Sequence, residues 1–222
     1  MNERDPEFAA KAVAILDVLF QPPTDGPLFC VDEKTAIAVR MPKAPDQPVR
    51  PGRRARREFE YVRHGTVDLL AAFGVQDGHI TGLVRPRHRS AEFCELLAQL
   101  DTATPPGQCI HLILDNISLH RSAAVSAWLA DHPKRPFVFH WLPLHSSWLS
   151  FIEVWFSILS RKCLKHAAFA TPEAATEQIT AFIATYNRHV AHPFAWKKGV
   201  RFYQRLKDKL AHRDTASQES AA

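Results

Sequence analysis

Six residues set the architecture. The run Cys109-Ile-His-Leu-Ile-Leu114 is apolar except at His111 and stops at Asp115-Asn116. Side chains alternate across a sheet, so a strand with apolar residues at successive positions must be covered on both faces. Covering both faces takes helices on both sides of a sheet, which predicts an α/β architecture.

The flanking sequence supplies matching elements. Residues 5–20 read as an amphipathic helix with Phe8, Ala12, Ile15, Leu16 and Leu19 on one face, ended by Pro22-Pro23. Leu28 to Val31 reads as a short strand stopping at Asp32-Glu33, and Ala36 to Val39 as its hairpin partner. Residues 41–60 hold Pro42, Pro45, Pro48 and Pro51 and read as a mobile loop. Thr66 to Phe73 and His79 to Val84 form a strand pair around the turn Gln76-Asp77-Gly78. Ser90 opens a helix in which Phe93, Leu96, Leu97 and Leu100 follow helical spacing. A helix over 121–131, a second buried strand over 137–142 and a helix over 149–164 follow. Thr171-Pro172 opens the next helix, with Pro at its first position. From Ala211 onward the residues are small and polar and predict no fixed structure. The sum is a mixed five-stranded sheet flanked by helices.

Composition narrows the chemistry. The net charge of +5 points mildly to a polyanionic partner. Its distribution says more: Arg50, Arg53, Arg54, Arg56, Arg57 and Arg63 crowd one stretch, and Arg85, Arg87 and Arg89 another. Cys30, Cys94, Cys109 and Cys163 form no CxxC pair, which predicts free thiols in a reducing compartment and no zinc site of the usual spacing. No signal peptide or membrane span is apparent. The histidines form no HExxH, and neither GxSxG nor a P-loop occurs.

Three acids sit where open α/β sheets place their active sites, beyond the carboxyl ends of strands. Asp32 and Asp115 each end an apolar run, and Glu153 lies in the first turn of the helix after the last buried strand. Such a carboxylate set suits Mg²⁺ or Mn²⁺, hard cations that take oxygen ligands. Two ions together could hold both the attacking and the leaving oxygen of a phosphodiester. Each acid also has a purely structural reading. Asp32-Glu33 could be a turn, Asp115-Asn116 a helix cap, and Ser150 with Glu153 a capping box. His120 could orient a phosphate or assist proton transfer, or simply face solvent at a helix start.

The segments Cys30-Val-Asp-Glu-Lys34, Arg63-His-Gly-Thr66, Arg87-His-Arg89 with Glu92-Phe93, His111-Leu-Ile-Leu-Asp-Asn116 with His120, and Ser146-Ser-Trp-Leu-Ser-Phe-Ile-Glu-Val-Trp155 occur in order. Together they resemble the DDE transposases of bacterial insertion sequences in the mariner-like superfamily, over about residues 5 to 196. The resemblance implies an RNase H-like fold and a metal-binding triad of Asp32, Asp115 and Glu153, with Glu33, Asn116 and His120 in support. It implies cleavage at element ends and joining of a 3′-hydroxyl to target DNA, as a homodimer in the bacterial cytoplasm, on the nucleoid when acting. Arg53, Arg54, Arg56, Arg57, Arg63, His64, Arg87, Arg161 and Lys162 become DNA-backbone contacts. The expected domains are an N-terminal helix and linker (1–24), a catalytic domain (25–205) with a basic loop (41–64), and a polar tail (206–222). Family members usually carry N-terminal helix-turn-helix domains, and this chain begins at the helix before the catalytic domain. Ser150 stands where the family often has Asn, and the sequence from Lys197 onward departs from the family. Two other roles stay open: a stand-alone RNase H-like endonuclease, and a non-catalytic DNA-binding remnant.

Overall fold

The computed structural model describes residues 7–219. Its strands are β1 (Leu28–Pro42), β2 (Tyr61–Gly74), β3 (Ile80–Arg85), β4 (Ile110–Leu114) and β5 (Phe137–Trp141). They form one sheet in the order β3-β2-β1-β4-β5. β1, β2 and β3 pair antiparallel, while β1, β4 and β5 pair parallel. This is the mixed five-stranded sheet that the sequence predicts. Every residue of β4 is buried, as the uninterrupted apolar run requires.

Helices cover both faces. On one lie α2 (Ser90–Ala103) and α3 (Ala123–Asp131), packing Phe93, Leu96, Leu97 and Val125 against Val31, Leu70 and Leu112. On the other lie α1 (Phe8–Phe20), α4 (Phe151–Leu159) and α5 (Pro172–His189), packing Leu16, Trp155 and Ile179 against Cys30, Leu69 and Ile113. The α4 stripe of Phe151, Ile152, Trp155, Phe156 and Leu159 is buried, which fixes the rotation of the helix that carries Glu153. Thr171 caps α5 by accepting from the Ala174 amide at 3.2 Å. All four cysteines are free, and Cys30, Cys109 and Cys163 are buried.

Four expectations need correction. Residues 28–42 form one long strand rather than a hairpin: both halves pair with β2, and the break between them is a bulge between Lys34 and Ile37. Ala36 sits there at φ 53°, and its amide donates to Asp68 Oδ1 at 2.7 Å. A bulge and a turn share the same polar, irregular residues, which is why they look alike in sequence. Residues 43–60 are more ordered than a bare loop. Gln47 pairs with Arg56 and Arg50 with Arg53, giving a short ribbon that extends beyond β1 and β2. β5 is an edge strand, only partly buried, with Val138 38% exposed. The tail expected to be unstructured from 206 is helical as α6 (Lys197–Glu219). Leu206 is buried and Phe202 and Leu210 pack beside it, a four-residue spacing that makes an apolar stripe. Tyr203 and Lys207 also reach Asp17 of α1. Residues 5 and 6 of the expected first helix lie outside the described residues. Its inward face is Ala9, Ala12, Ile15, Leu16 and Leu19, with Phe8 half-buried.

Candidate active site

The sheet leaves a notch where the acids are. β1 and β4 pair in parallel only from Leu28↔His111 to Cys30↔Ile113. β4 then ends, while β1 continues along β2. Past that point the β1 edge facing β4 has no neighbouring strand, and the chain after Leu114 turns away. Asp32 and Asp115 lie at this opening, with Glu153 beside it in the first turn of α4.

Strand alternation separates the adjacent acids of β1. Cys30 belongs to the core under α4, and Val31 to the core under α2 and α3. Asp32 therefore shares the α4 face with Cys30, and Glu33 shares the opposite face with Val31. Glu33 meets His120 there: Oε1 lies 2.9 Å from Nε2, and both side chains are almost fully buried. The His120 ring also packs on Phe93, with centroids 4.5 Å apart. His120 is thus a buried link between Glu33 and Asp115, not a solvent-facing residue.

The electrostatics mark Asp32 as the centre of the cluster. Burial lifts its carboxyl from 3.8 to about 7, and the charges of Glu33, Glu153 and Asp115 add to the rise. One oxygen accepts from the Glu33 amide at 2.7 Å, which offsets part of this. Burial pushes the His120 imidazole down, but its contacts with Asp115 and Glu33 outweigh that and lift it to about 9. Asp115 Oδ1 lies 3.2 Å from His120 Nδ1, close enough for charge attraction, yet the oxygen is buried and makes no hydrogen bond of acceptable geometry.

None of the structural roles open to these acids is realised. Asp32 and Glu33 are within a strand, not a turn. The cap of α3 is Ser122, which accepts from the Val125 amide at 3.4 Å, so Asp115-Asn116 does not cap it. Ser150 makes no side-chain cap, and its amide donates to the Ser147 carbonyl rather than to Glu153. The turn, helix-cap and capping-box roles therefore do not explain these acids.

The residues fit a divalent cation. Massed carboxylates, one raised in pKa by burial and further by the others' charges, and one with an orphaned buried oxygen, are what a dication would relieve. The arrangement is open: among the described residues, the one set of three ligand atoms within 4.8 Å of one another is Asp25, Cys109 and His111, at the far end of β4. Asn116 is exposed at the rim.

The basic residues surround one side. Arg53, Arg54, Arg56, Arg57, Arg63 and His64 are exposed on the ribbon and its base, and Arg87, Arg161 and Lys162 are exposed elsewhere. Arg57 bonds His166 at 2.9 Å, joining the ribbon to the segment after the π-helical turn Ser160–Leu164 that continues α4. An open groove between β1 and this turn adds Lys34, Arg40 and Lys165. Arg40 lies over the Tyr61 ring at 5.0 Å. Lys34 and Arg40 carry no separate sequence signal as groove residues, because only the continuous β1 aligns them with Arg161.

Residues 27–175 match the family described as DDE superfamily endonuclease. The chain belongs to that family. A curated relative, the "Insertion element IS630 uncharacterized 39 kDa protein" of Shigella sonnei, is 24% identical over 157 residues, 68% of this chain and 42% of the relative. The chain therefore spans under half the length of that relative. The Mos1 strand transfer complex has a similar fold, with TM-score 0.56, 20% identity, and coverage of 96% of this chain and 60% of that one. The catalytic domain of Mos1 mariner transposase gives TM-score 0.54 and 16% identity over 96% and 91% of the two chains. The Mos1 mariner paired end complex with Mn gives TM-score 0.54 and 18% identity over 96% and 61%. The fold is thus the RNase H-like one that the Mos1 transposase catalytic domain also has.

Proposed function

We propose that this domain is the catalytic part of a DNA transposase, with Asp32, Asp115 and Glu153 as its metal-holding carboxylates. The observation that carries the reading is the crowding of Asp32 by Glu153 and Asp115 at the notch beyond β4, with every structural role for these acids unfilled. Mg²⁺ or Mn²⁺, most simply two ions, would supply Lewis acidity to a phosphodiester and an activated water or 3′-hydroxyl. The name of the Mos1 complex with Mn supports a divalent ion of this class.

The chain's own residues divide the work. Asp32, from the rigid β1, and Glu153, from the tightly packed α4, frame the position of the scissile phosphate. Asp115 closes the third side, steadied by His120. His120 in turn is held by Glu33 from the opposite face of β1, so the pair positions rather than binds. Arg53, Arg54, Arg56, Arg57, Arg63 and His64 on the ribbon, with Arg87, Arg161 and Lys162, would neutralise DNA phosphates along the approach. The relatives' strand transfer and paired end complexes support DNA as the partner, and action as a homodimer is part of the same proposal.

The test uses a labelled duplex with free 3′-hydroxyl ends, a supercoiled plasmid target and Mn²⁺. Joined products are expected, and Asp115→Asn and Glu153→Gln should abolish them while DNA retention persists. Cleavage without joining would make the domain an endonuclease instead. Equal activity of the parent and Asp115→Asn would remove the assignment.

A further inference from the structure

A second group of metal-binding side chains lies at the opposite end of β4, independent of the catalytic reading. Asp25, Cys109 and His111 bring one ligand atom each within 4.8 Å of one another. Backbone bonds hold the three in register. The Cys109 amide donates to the Asp25 carbonyl at 3.0 Å, and the His111 amide donates to the Pro27 carbonyl at 2.9 Å. The loop is pressed so closely on the strand that a Cβ at Gly26 would lie 1.8 Å from the Cys109 carbonyl oxygen. The site is therefore set by the fold rather than by flexible side chains. Cys109 and His111 are two apart along an extended segment, so their side chains leave the same face. Both are buried, and Asp25 is exposed and leaves a way in.

We infer that Asp25, Cys109 and His111 form a binding site for a borderline divalent ion of the zinc class, separate from the catalytic carboxylates. The donor set decides the metal. One sulfur, one imidazole nitrogen and one carboxylate oxygen suit Zn²⁺ or Co²⁺, whereas Mg²⁺ takes oxygen ligands. Three protein ligands leave a fourth tetrahedral position to water.

His140 completes the arrangement. His111 Nε2 lies 2.9 Å from Asp25 Oδ1, and His111 Nδ1 lies 3.1 Å from His140 Nε2. Ion binding at Nε2 moves the His111 proton to Nδ1, where His140 Nε2 accepts it, while the Cys109 thiol proton is released to solvent. A ligating histidine generally donates its other N–H to such a partner. The ion would pin the loop preceding β1 to β4 at the end of the sheet remote from the active site.

The test is Co²⁺ titration of the EDTA-treated, dialysed chain, read by the near-ultraviolet thiolate-to-cobalt charge-transfer band, with Zn²⁺ as competitor. One equivalent should give the band, and Zn²⁺ should remove it. Cys109→Ser should abolish the band, and Asp25→Ala, at an exposed position where misfolding is not expected, should weaken binding at least tenfold. His140→Phe should weaken it by about tenfold or more. Asp115→Asn should leave it unchanged. Absence of the band in the parent chain, its persistence in folded Cys109→Ser, undiminished affinity in Asp25→Ala, or its loss in Asp115→Asn would each overturn the assignment.

Discussion

Removing the charge at Asp32 should stabilise the metal-free domain while destroying its chemistry. The carboxyl is raised from 3.8 to about 7, first by burial and then by Glu33, Glu153 and Asp115. A rise of about 3 units corresponds to about 4 kcal/mol between the two protonation states. Asp32 is only half-buried, so solvent screening reduces this to a working figure of about 2 kcal/mol. An acid whose pKa is higher folded than unfolded holds its proton better in the folded state. The fold therefore loses stability as pH rises from about 4 to about 7, and the full penalty stands above that. Asn keeps the shape, and its Oδ1 can still accept from the Glu33 amide. In EDTA at about pH 8, Asp32→Asn should gain about 2 kcal/mol, or about 4–8 °C in Tm for a chain of this size. The gain should vanish near pH 4, and saturating Mn²⁺ should stabilise the parent more than the variant. Urea unfolding followed by tryptophan fluorescence across this pH range reads all three effects. A variant no more stable than the parent at pH 8 in EDTA, or a gain that does not shrink on acidification, would refute the reasoning.

Other perturbations have separate readouts. Arg53→Ala/Arg54→Ala should weaken DNA binding across all sequences and reduce the salt dependence of log K by about one unit per lost phosphate contact; an unchanged slope would take the ribbon off the DNA path. Trp155 is fully buried under the sheet, so Trp155→Ala should cost about 3–5 kcal/mol in denaturant unfolding. Asp68→Ala should cost about 1–3 kcal/mol, because the Ala36 amide at the β1 bulge loses its acceptor. Its effect on amide exchange should centre on residues 34–37, and protection unchanged there would show the bulge to be held some other way.

The fold was legible where one signal dominated. The apolar run of β4 specified burial on both faces, and helical spacing specified α2 and α5. Legibility failed where two structures share a local pattern. Asp32 to Ala36 carries the polar residues of a turn, but the bulge at Lys34/Ile37 needs the same residues, and the Asp68 carboxylate that accepts from its Ala36 amide is thirty-two positions away. The C-terminal segment failed for the same reason. Its small polar residues from Ala211 mask the four-residue apolar spacing of Phe202, Leu206 and Leu210, which gains energy only against α1 and the main core.

The site was legible residue by residue but not as a set. Asp32 and Glu33 are indistinguishable in a string, since either could end the strand. What separates them is that β1 continues, so alternation sends Asp32 to the α4 face with Glu153 and Glu33 to His120. The same alternation runs along β4. Cys109, His111 and Ile113 occupy every second position into and along the strand, and Ile113 is buried in the core that α4 also fills, while Asp115 follows the strand's last residue. The short strand therefore runs from a mixed sulfur, nitrogen and oxygen cluster at its start to the carboxylate cluster beyond its end, with the buried Ile113 between them. Mn²⁺ would favour the oxygen-only end, whereas a zinc-class ion can bind at either and would fill the sulfur and nitrogen site first. A first equivalent of Zn²⁺ that stabilises Asp115→Asn as much as the parent, beside a Mn²⁺ effect confined to the parent, is the outcome this arrangement requires.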